Sequence, residues 1–336
     1  MRLALLAIGF GAIAVGLVGL SAQNAAAAET IKIGMQKPVG GPLYIANDKG
    51  YYAAEGLAPD YVFFEAGEPI AVAVASGAVD FGVAGLTGGF YSLAGKGALK
   101  IIAGQTHEVP GFPANTVAAS NKAFEGGLKT VKDLPGHSVA ITQIGSAFHY
   151  DLGLLADKYH FDLKTIRLMP LQTNPNAVAA VVGNSADAVV TIAPWVRPAI
   201  NKGDAKLLAY IGDESPWQLA VAFTGTKTAN EQPDKVQRFV RALRHATHDY
   251  HDAFTAPDGK RADQASAPEL LAILAKHTGQ APEVIDQGLG YMDAEARLDE
   301  ADVLRQVAWY RAQGMVKDDF DAASIIDNRY AVPLSK

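Results

Sequence analysis

The stretch at residues 73–89, AVASGAVDFGVAGLTGG, decides the fold. It predicts the end of a helix of small residues, a tight turn at Ser76 and Gly77, a buried strand over residues 81–84 and a glycine-rich turn that opens another helix. In a parallel α/β sheet, ligands bind beyond the carboxyl ends of the strands, where the first N–H groups of the next helix are unpaired. Thr87, which follows the predicted strand, is therefore a candidate ligand contact.

The same pattern returns later in the chain. Residues 178–183 predict a helix, Asn184 and Ser185 a turn, and residues 188–192 a strand that ends before Pro194. Two similar α/β units that face one another would enclose a cleft. The sequence therefore predicts two lobes with a ligand cleft between them.

The first residues have the features of an export signal. Arg2 supplies one positive charge, residues 3–20 carry no charge, and alanines at residues 26–28 offer the small side chains that a signal peptidase requires. We therefore expect residues 1–28 to be a cleaved signal peptide and the mature chain to be periplasmic. An uncleaved membrane anchor is the alternative, which the small-residue cleavage site and the missing basic flank after it disfavour.

Length and composition narrow the class of protein. The chain has 336 residues, more than a single hydrophobic core usually holds, which predicts two lobes. Its formal net charge is −6 and it has no basic stripe to neutralise phosphates, so no nucleic-acid partner is expected. The absence of cysteine excludes disulfides, thiol catalysis and cysteine metal sites.

The predicted lobes are discontinuous in sequence. The run HEVPGFPAN at residues 107–115 contains two prolines and a glycine, so we predict a loop that crosses from the first lobe to the second. A strand predicted at residues 219–223 would return the chain to the first lobe, on which the C-terminal helices are expected to pack. We therefore expect lobe 1 to comprise residues 29–115 and 220–336, and lobe 2 to comprise residues 116–219.

Several motifs in this order resemble a known group, the substrate-binding proteins of ABC importers for nitrate, sulfonate, taurine and thiamine precursors. The matching text is GPLYIA at residues 41–46, KGYYAAEGL at 49–57, ASGAVDFG at 75–82, DLPG at 133–136, GS at 145–146 and DA at 187–188 before Pro194. The resemblance implies a type II periplasmic binding protein, with two α/β lobes joined by two crossing hinge strands and closing on a ligand. It also implies partners: a membrane permease with a cytoplasmic ATPase. The run PGFPAN around Phe112 matches no motif of the group, so the resemblance leaves the ligand open.

The candidate site is the set of turns that would converge on the cleft. Helices predicted to begin near Gly41, Thr87 and Ser146 would aim unpaired N–H groups at one point, so an anionic head group is expected. Trp195 could stack on a ligand, and Arg197 could pair with a carboxylate or sulfonate. The candidate ligand-binding residues are Gln36, Gly41, Pro42, Thr87, Phe112, Gly145, Ser146, His149, Trp195 and Arg197.

Each candidate also has a purely structural interpretation. Thr87 and Ser146 could only cap their helices, Trp195 could belong to the core between the lobes, and Arg197 could be a solvated surface charge. A second cluster has spacing compatible with metal binding on one helix face, but that face lies opposite the apolar one and is expected to face water. Its members are His245, His248, Asp249 and Asp252.

Enzymatic readings find little support. The chain contains no G-x-S-x-G, no H-E-x-x-H and no Walker loop. We therefore expect a monomeric binding protein without cofactor, metal or covalent chemistry, which takes up a small organic anion such as a sulfonate or an aromatic or aliphatic carboxylate. The alternatives are a thiamine-precursor pyrimidine as ligand, or a periplasmic enzyme acting on such a small molecule.

Overall fold

The computed structural model describes residues 27–317 and 319–334. Most of the predicted signal peptide lies outside the described residues, so its cleavage stays a prediction. Within the described ranges, no helix combines the length and the apolar character that crossing a bilayer requires.

The strands belong to three sheets. Their bounds are β1 (Glu29–Met35), β2 (Leu57–Phe63), β3 (Phe81–Gly85), β4 (Leu99–Gly104), β5 (Thr106–Glu108), β6 (Asn115–Ser120), β7 (Ser138–Ile141), β8 (Arg167–Pro170), β9 (Ala188–Ile192), β10 (Ala205–Tyr210), β11 (Trp217–Gln218), β12 (Ala220–Gly225) and β13 (Tyr291–Met292).

Helices connect most of these strands and form the C-terminal part. Their bounds are α1 (Gly41–Asp48), α2 (Tyr51–Ala54), α3 (Gly67–Ala75), α4 (Gly88–Gly95), α5 (Asn121–Glu125), α6 (Ala147–Tyr159), α7 (Asn174–Val182), α8 (Ala193–Lys202), α9 (Ile211–Glu214), α10 (Thr226–Glu231), α11 (Pro233–Phe254), α12 (Ala267–Thr278), α13 (Pro282–Asp286) and α14 (Glu300–Ala312).

The two larger sheets share one strand order. The first sheet runs β2-β1-β3-β12-β4 and the second runs β8-β7-β9-β6-β10. In each sheet the first three strands are parallel, and the fourth runs antiparallel to both neighbours. The fourth strand, β12 or β6, comes in each case from the chain that has just crossed over from the other half. The two predicted α/β units are thus present, as α3-β3-α4 in the first sheet and α7-β9-α8 in the second.

The third sheet holds the crossings. Its order is β11-β5-β13, all antiparallel. The chain leaves the first sheet through β5 and returns through β11 into β12, so the predicted α/β fold with two crossing strands is confirmed. The predicted loop at residues 107–115 begins later than expected. His107 is part of β5 because its backbone pairs with Gln218 on one side and Tyr291 on the other, and a sequence window cannot show either partner.

The long helix α11 packs on the first sheet through its apolar stripe. Val236, Phe239, Leu243 and Tyr250 recur at helical spacing and are buried. Phe239 stacks on Phe81 of β3, with ring centroids 4.0 Å apart. The C-terminal helices therefore cover the outer face of the first sheet and leave its strand ends free to face the second sheet.

One glycine in the repeated unit is required by packing. A Cβ atom on Gly82 of β3 would lie 2.5 Å from the ring of Phe223 in β12, closer than any real contact. The missing side chain leaves room for the Phe223 ring to lie across β3 at this position. The position explains why the motif in residues 73–89 has glycine after Phe81.

Candidate functional site

A cavity of about 100 Å³ lies where the carboxyl ends of the two larger sheets meet. The first sheet contributes Gln36, which follows β1, and Thr87, which follows β3. The second sheet contributes Gln143, which follows β7, and Pro194, which follows β9. The cavity therefore occupies the position at which parallel α/β sheets bind ligands.

The two sheets touch directly beside the cavity. The backbone N–H of Gly88 donates to the carbonyl oxygen of Gly145 at 2.9 Å. Gly145 has a positive φ of 83°, a conformation that favours glycine. A Cβ atom on Gly85 would already lie 3.3 Å from the Cβ of Ala147. The turn after β3 and the turn after β7 thus form a closed wall, and glycine at both turns allows the approach.

A C-terminal segment covers the cavity from another side. This covering segment, residues 278–292, contributes both polar and apolar lining. Gln280 Nε2 donates to the carbonyl of Pro194 at 3.2 Å, and a Cβ atom on Gly288 would lie 2.9 Å from the Pro194 ring. The segment therefore bridges from the helical layer of the first sheet to the start of α8 in the second.

The polar lining is neutral. Among the described residues that line the cavity, none carries an ionisable acidic or basic side chain; Tyr250 contributes a phenol. The polar side chains are amides and hydroxyls: Gln36, Gln105, Asn115, Gln143, Gln280, Thr87, Thr106, Thr142, Ser146, Thr278 and Tyr250. A bound anion would therefore meet hydrogen-bond donors and helix N-termini and no charged partner.

The hydroxyls at the two helix starts differ in what they bind. Thr87 caps α4, since its Oγ1 accepts from the N–H of Phe90 at 3.0 Å. Ser146 occupies the same position before α6, but its buried Oγ has no hydrogen-bond partner among the described residues. Capping therefore uses one acceptor position of the Thr87 hydroxyl, whose O–H can still donate, whereas the Ser146 hydroxyl is left without a protein partner among the described residues.

Much of the remaining wall is apolar. Phe148 at the start of α6 and Leu219 before β12 both line the cavity. The covering segment adds Ile285, Leu289 and Met292. Apolar walls around a few polar groups are typical of sites for small organic molecules.

Four of the predicted binding residues line the cavity: Gln36, Gly41, Thr87 and Ser146. The other six do not. Pro42 is buried in the first turn of α1. Phe112 is also buried and packs on Tyr291 in a T-shaped arrangement, with ring centroids 5.2 Å apart. The carbonyl oxygen of Gly145 accepts a hydrogen bond from the N–H of Gly88.

His149, Trp195 and Arg197 also have roles outside the cavity wall. His149 Nδ1 accepts from the N–H of Gly145 at 3.2 Å, and burial lowers the pKa of His149 to about 4. Trp195 is half-buried against the core. Arg197 donates to the hydroxyl of Tyr210 and, at 3.3 Å, to the carbonyl of Gln287 in the covering segment. Burial lowers the pKa of this guanidinium.

Sequence reasoning missed much of the polar lining. Gln143 had an available signal, because it follows β7 as Gln36 follows β1 in the equivalent unit. Asn115 and Gln105 sit at the ends of the crossing, where no local motif marks them. The covering segment had no signal either, since its place over the cavity depends on contacts with α8.

The histidine face of α11 does not assemble a metal site. His245 and His248 are exposed, as expected. In the described part of the chain, no group of three or more His, Asp or Glu side chains is placed to hold a metal ion.

Comparison with known proteins identifies a family and a relative that are similar to this chain. The model of a family described as "NMT1/THI5 like" matches residues 37–258. A curated Bacillus subtilis (strain 168) protein, whose name assigns it the binding of aliphatic sulfonates, is 27% identical over 231 residues. That match covers 64% of this chain and 64% of the relative, so it spans less than two thirds of the relative's length.

Solved structures share the fold. The alkanesulfonate-binding protein SsuA from Xanthomonas axonopodis pv. citri, bound to MOPS, superposes with a TM-score of 0.72 at 23% identity, over 90% of this chain and 99% of that one. The desulfurization enzyme DSZB superposes with a TM-score of 0.57 at 14% identity, over 91% of this chain and 96% of that one. The same fold therefore occurs in a binding protein and in an enzyme.

Proposed function

The chain belongs to the NMT1/THI5-like family, and from that premise we propose that it is the solute-binding component of an ABC importer. The observation that carries the proposal is the cavity shared by the strand ends of both sheets, beside which the Gly88 to Gly145 hydrogen bond joins the two turns. A site built from two units can bind a solute when the units close and release it when they part. Such a cycle suits delivery to a membrane permease with a cytoplasmic ATPase.

We propose that the units that move are the two predicted lobes, residues 29–115 with 220–336 and residues 116–219. Each holds one of the larger sheets, and β5 and β11 lie where the chain passes between them. A signal peptide over residues 1–28 would bring the protein to the periplasm, where it would act as a monomer.

The proposed ligand is a small organic anion, a sulfonate or a carboxylate with an apolar body. The sulfonate-binding relatives support this class, and so do the starts of α4 and α6, because the positive ends of both helix dipoles lie at the cavity wall beside Thr87 and Ser146. Phe148, Leu289 and Met292 suit an apolar body. Nitrate, which has none, would leave that wall without a partner.

A neutral ligand is the second candidate. The described cavity lining holds amides and hydroxyls without a charged side chain, which suits a polar heterocycle such as a thiamine-precursor pyrimidine. An enzyme is a further alternative, because the desulfurization enzyme DSZB has a similar fold. The lining nevertheless offers no carboxylate, imidazole or ammonium group to act as a general acid or base.

A thermal-shift screen of the purified mature chain tests the proposal. The probes are butanesulfonate, butanoate, benzoate, nitrate and the pyrimidine 4-amino-5-hydroxymethyl-2-methylpyrimidine. A true ligand binds only the folded protein and should therefore raise its melting temperature. At a ligand concentration of a hundred times the Kd, the free energy of unfolding should rise by about 2.7 kcal/mol. We expect an organic anion to give the largest shift and to be recovered chemically unchanged. A shift with the pyrimidine alone would replace the anion by the second candidate, and turnover of a probe would make the protein an enzyme.

A further inference from the structure

Asn115 occupies a special place beside the cavity. It is the first residue of β6, where the chain enters the second sheet, and its backbone pairs with Ile192 at the end of β9. Its side chain is fully buried, and the residue belongs to the cavity lining. Asn115 therefore lies at the crossing and at the site together.

Two buried carboxyl groups hold this residue. The backbone N–H of Asn115 donates to Glu108 Oε1 at 2.6 Å, and its side-chain Nδ2 donates to Asp151 Oδ2 at 2.7 Å. Glu108 belongs to β5 and Asp151 to α6, and both are fully buried. Burial raises the pKa of both carboxyl groups, and the charge of Asp151 raises the pKa of Glu108 further. The backbone N–H of Gly212 lowers the pKa of Glu108, and Asp213 raises it.

The hydrogen bond to Asp151 orients the amide. Because Nδ2 is taken by the carboxyl group, the opposite atom, Oδ1, is left as an acceptor. Asn115 Oδ1 is buried and has no hydrogen-bond partner among the described residues. Buried acceptors are nearly always satisfied, and one that is left open in a binding site implies a donor on the ligand or a water molecule.

We propose that Asn115 selects ligands that carry a hydrogen-bond donor, an N–H or an O–H group, in addition to their anionic group. The inference rests on the proposed function and narrows its ligand to amino- or hydroxyl-substituted organic anions. Asp151 acts through Asn115 and is a positioning residue. A site built around a buried acceptor rejects an analogue that lacks the donor, because the acceptor is then unpaired in the complex.

Matched ligands test this in the unmodified protein. One series is ethanesulfonate, 2-hydroxyethanesulfonate and 2-aminoethanesulfonate, and the other is propanoate, 3-hydroxypropanoate and 3-aminopropanoate. Calorimetry should show that at least one donor-bearing member of a series binds at least about tenfold more tightly than its unsubstituted parent. Comparison of the Kd values of the hydroxyl and amino members decides whether Asn115 prefers an O–H or an N–H donor.

The outcomes separate the two proposals. If the parents bind as tightly as their substituted partners, the role of Asn115 is overturned and the anion-binding function stands. If neither series binds, the role of Asn115 is overturned, and the thermal-shift screen with butanesulfonate and benzoate still decides the anion-binding function. These results need no variant, so a folding defect cannot obscure them.

Variants then test whether Asn115 is the residue that selects donor-bearing ligands. Asn115→Leu should reduce the preference to within about threefold. The control Asn230→Leu makes the same change at an exposed position of α10, outside the cavity lining, and should keep the preference. Asp151→Asn retains the shape but allows the amide of Asn115 to turn, so the preference should shrink although both amides remain. A preference that is unchanged in folded Asn115→Leu or Asp151→Asn protein would contradict the assignment.

Discussion

The hydroxyl of Tyr310 donates to the carbonyl oxygen of Ser146 at 3.1 Å. The same hydroxyl lies 3.4 Å from the carbonyl oxygen of Leu86. Leu86 follows β3 of the first sheet, and Ser146 follows β7 of the second. One side chain of α14 therefore bridges the two turns that close the cavity, from outside the cavity itself.

Tyr310→Phe should weaken ligand binding about fivefold, because it removes one buried hydrogen bond of about 1 kcal/mol from the closed arrangement. The variant keeps the ring and its packing, so the loss should fall on closure. Calorimetry with the ligand found in the screen measures the effect. Tyr91→Phe is the matched control, since the hydroxyl of Tyr91 binds Gln306 of α14 and touches neither turn. If both variants bind alike, the bridge does not contribute to closure.

Truncation of Phe148 should lower ligand affinity, whereas truncation of Trp195 should lower stability and leave affinity nearly unchanged. Phe148 lines the cavity at the start of α6, so Phe148→Ala should lower affinity by about tenfold or more through lost apolar contact. Trp195 lies at the start of α8 but outside the lining, so Trp195→Ala should change affinity by less than about twofold and lower stability toward urea. Parallel measurements of Kd and urea midpoint decide between them. A large loss of affinity in Trp195→Ala would place its ring against the ligand after all.

The buried carboxyl pair should make the protein less stable as the pH rises. Burial raises the folded-state pKa of Glu108, so the folded protein holds a proton that the unfolded chain releases above its ordinary pKa. The contribution of Glu108 to the free energy of unfolding is complete below that ordinary pKa. It is lost as the pH rises from about 4.5, at no more than about 1.4 kcal/mol per pH unit for each group. Urea unfolding between pH 5 and pH 8 measures this slope.

Glu108→Gln should flatten the slope, with Asp151 left to titrate alone. Glu125→Gln at the exposed end of α5 is the control and should leave the slope as it is. A profile that stays the same in Glu108→Gln would show that the carboxyl group is not the source.

His149 should make the protein less stable as the pH falls below about 6.5. Burial lowers its folded-state pKa to about 4, and its Nδ1 must be unprotonated to accept from Gly145. The contribution of His149 is therefore complete above the unfolded value of about 6.5 and is lost as the pH falls toward 4, at about 1.4 kcal/mol per pH unit at most. His149→Gln keeps an acceptor for Gly145 without a titrating ring, so its urea midpoint should fall less between pH 6.5 and pH 4.

The exposed His245 of α11 gives the comparison. His245→Gln should follow the pH profile of the unmodified protein. The interpretation fails if His149→Gln and His245→Gln show the same acid sensitivity.

The candidate site shows where sequence reasoning stops. The sequence points to Gln36, Thr87 and Ser146 because each lies in a turn that follows a strand whose carboxyl end must face the cleft. The same ground predicts Trp195 and Arg197, which follow β9, but successive residues of a helix point about 100° apart. Pro194 faces the cavity, and the two later side chains of α8 turn toward the core and toward Gln287. Which residue of a helical turn faces the ligand depends on how the helix is rotated against its neighbours.

The sequence by itself determined the repeated α/β units, the crossing between them and the turns that open helices at the cavity, because these follow from local periodicity and from glycine and proline chemistry. Tertiary structure alone decided that the cavity lining is neutral, that residues 278–292 cover it and that Tyr310 ties its turns together. It also decided that Asn115 is held between Glu108 and Asp151. These features join residues far apart in the chain, and their contacts are set by the packing of whole elements, which no local pattern encodes.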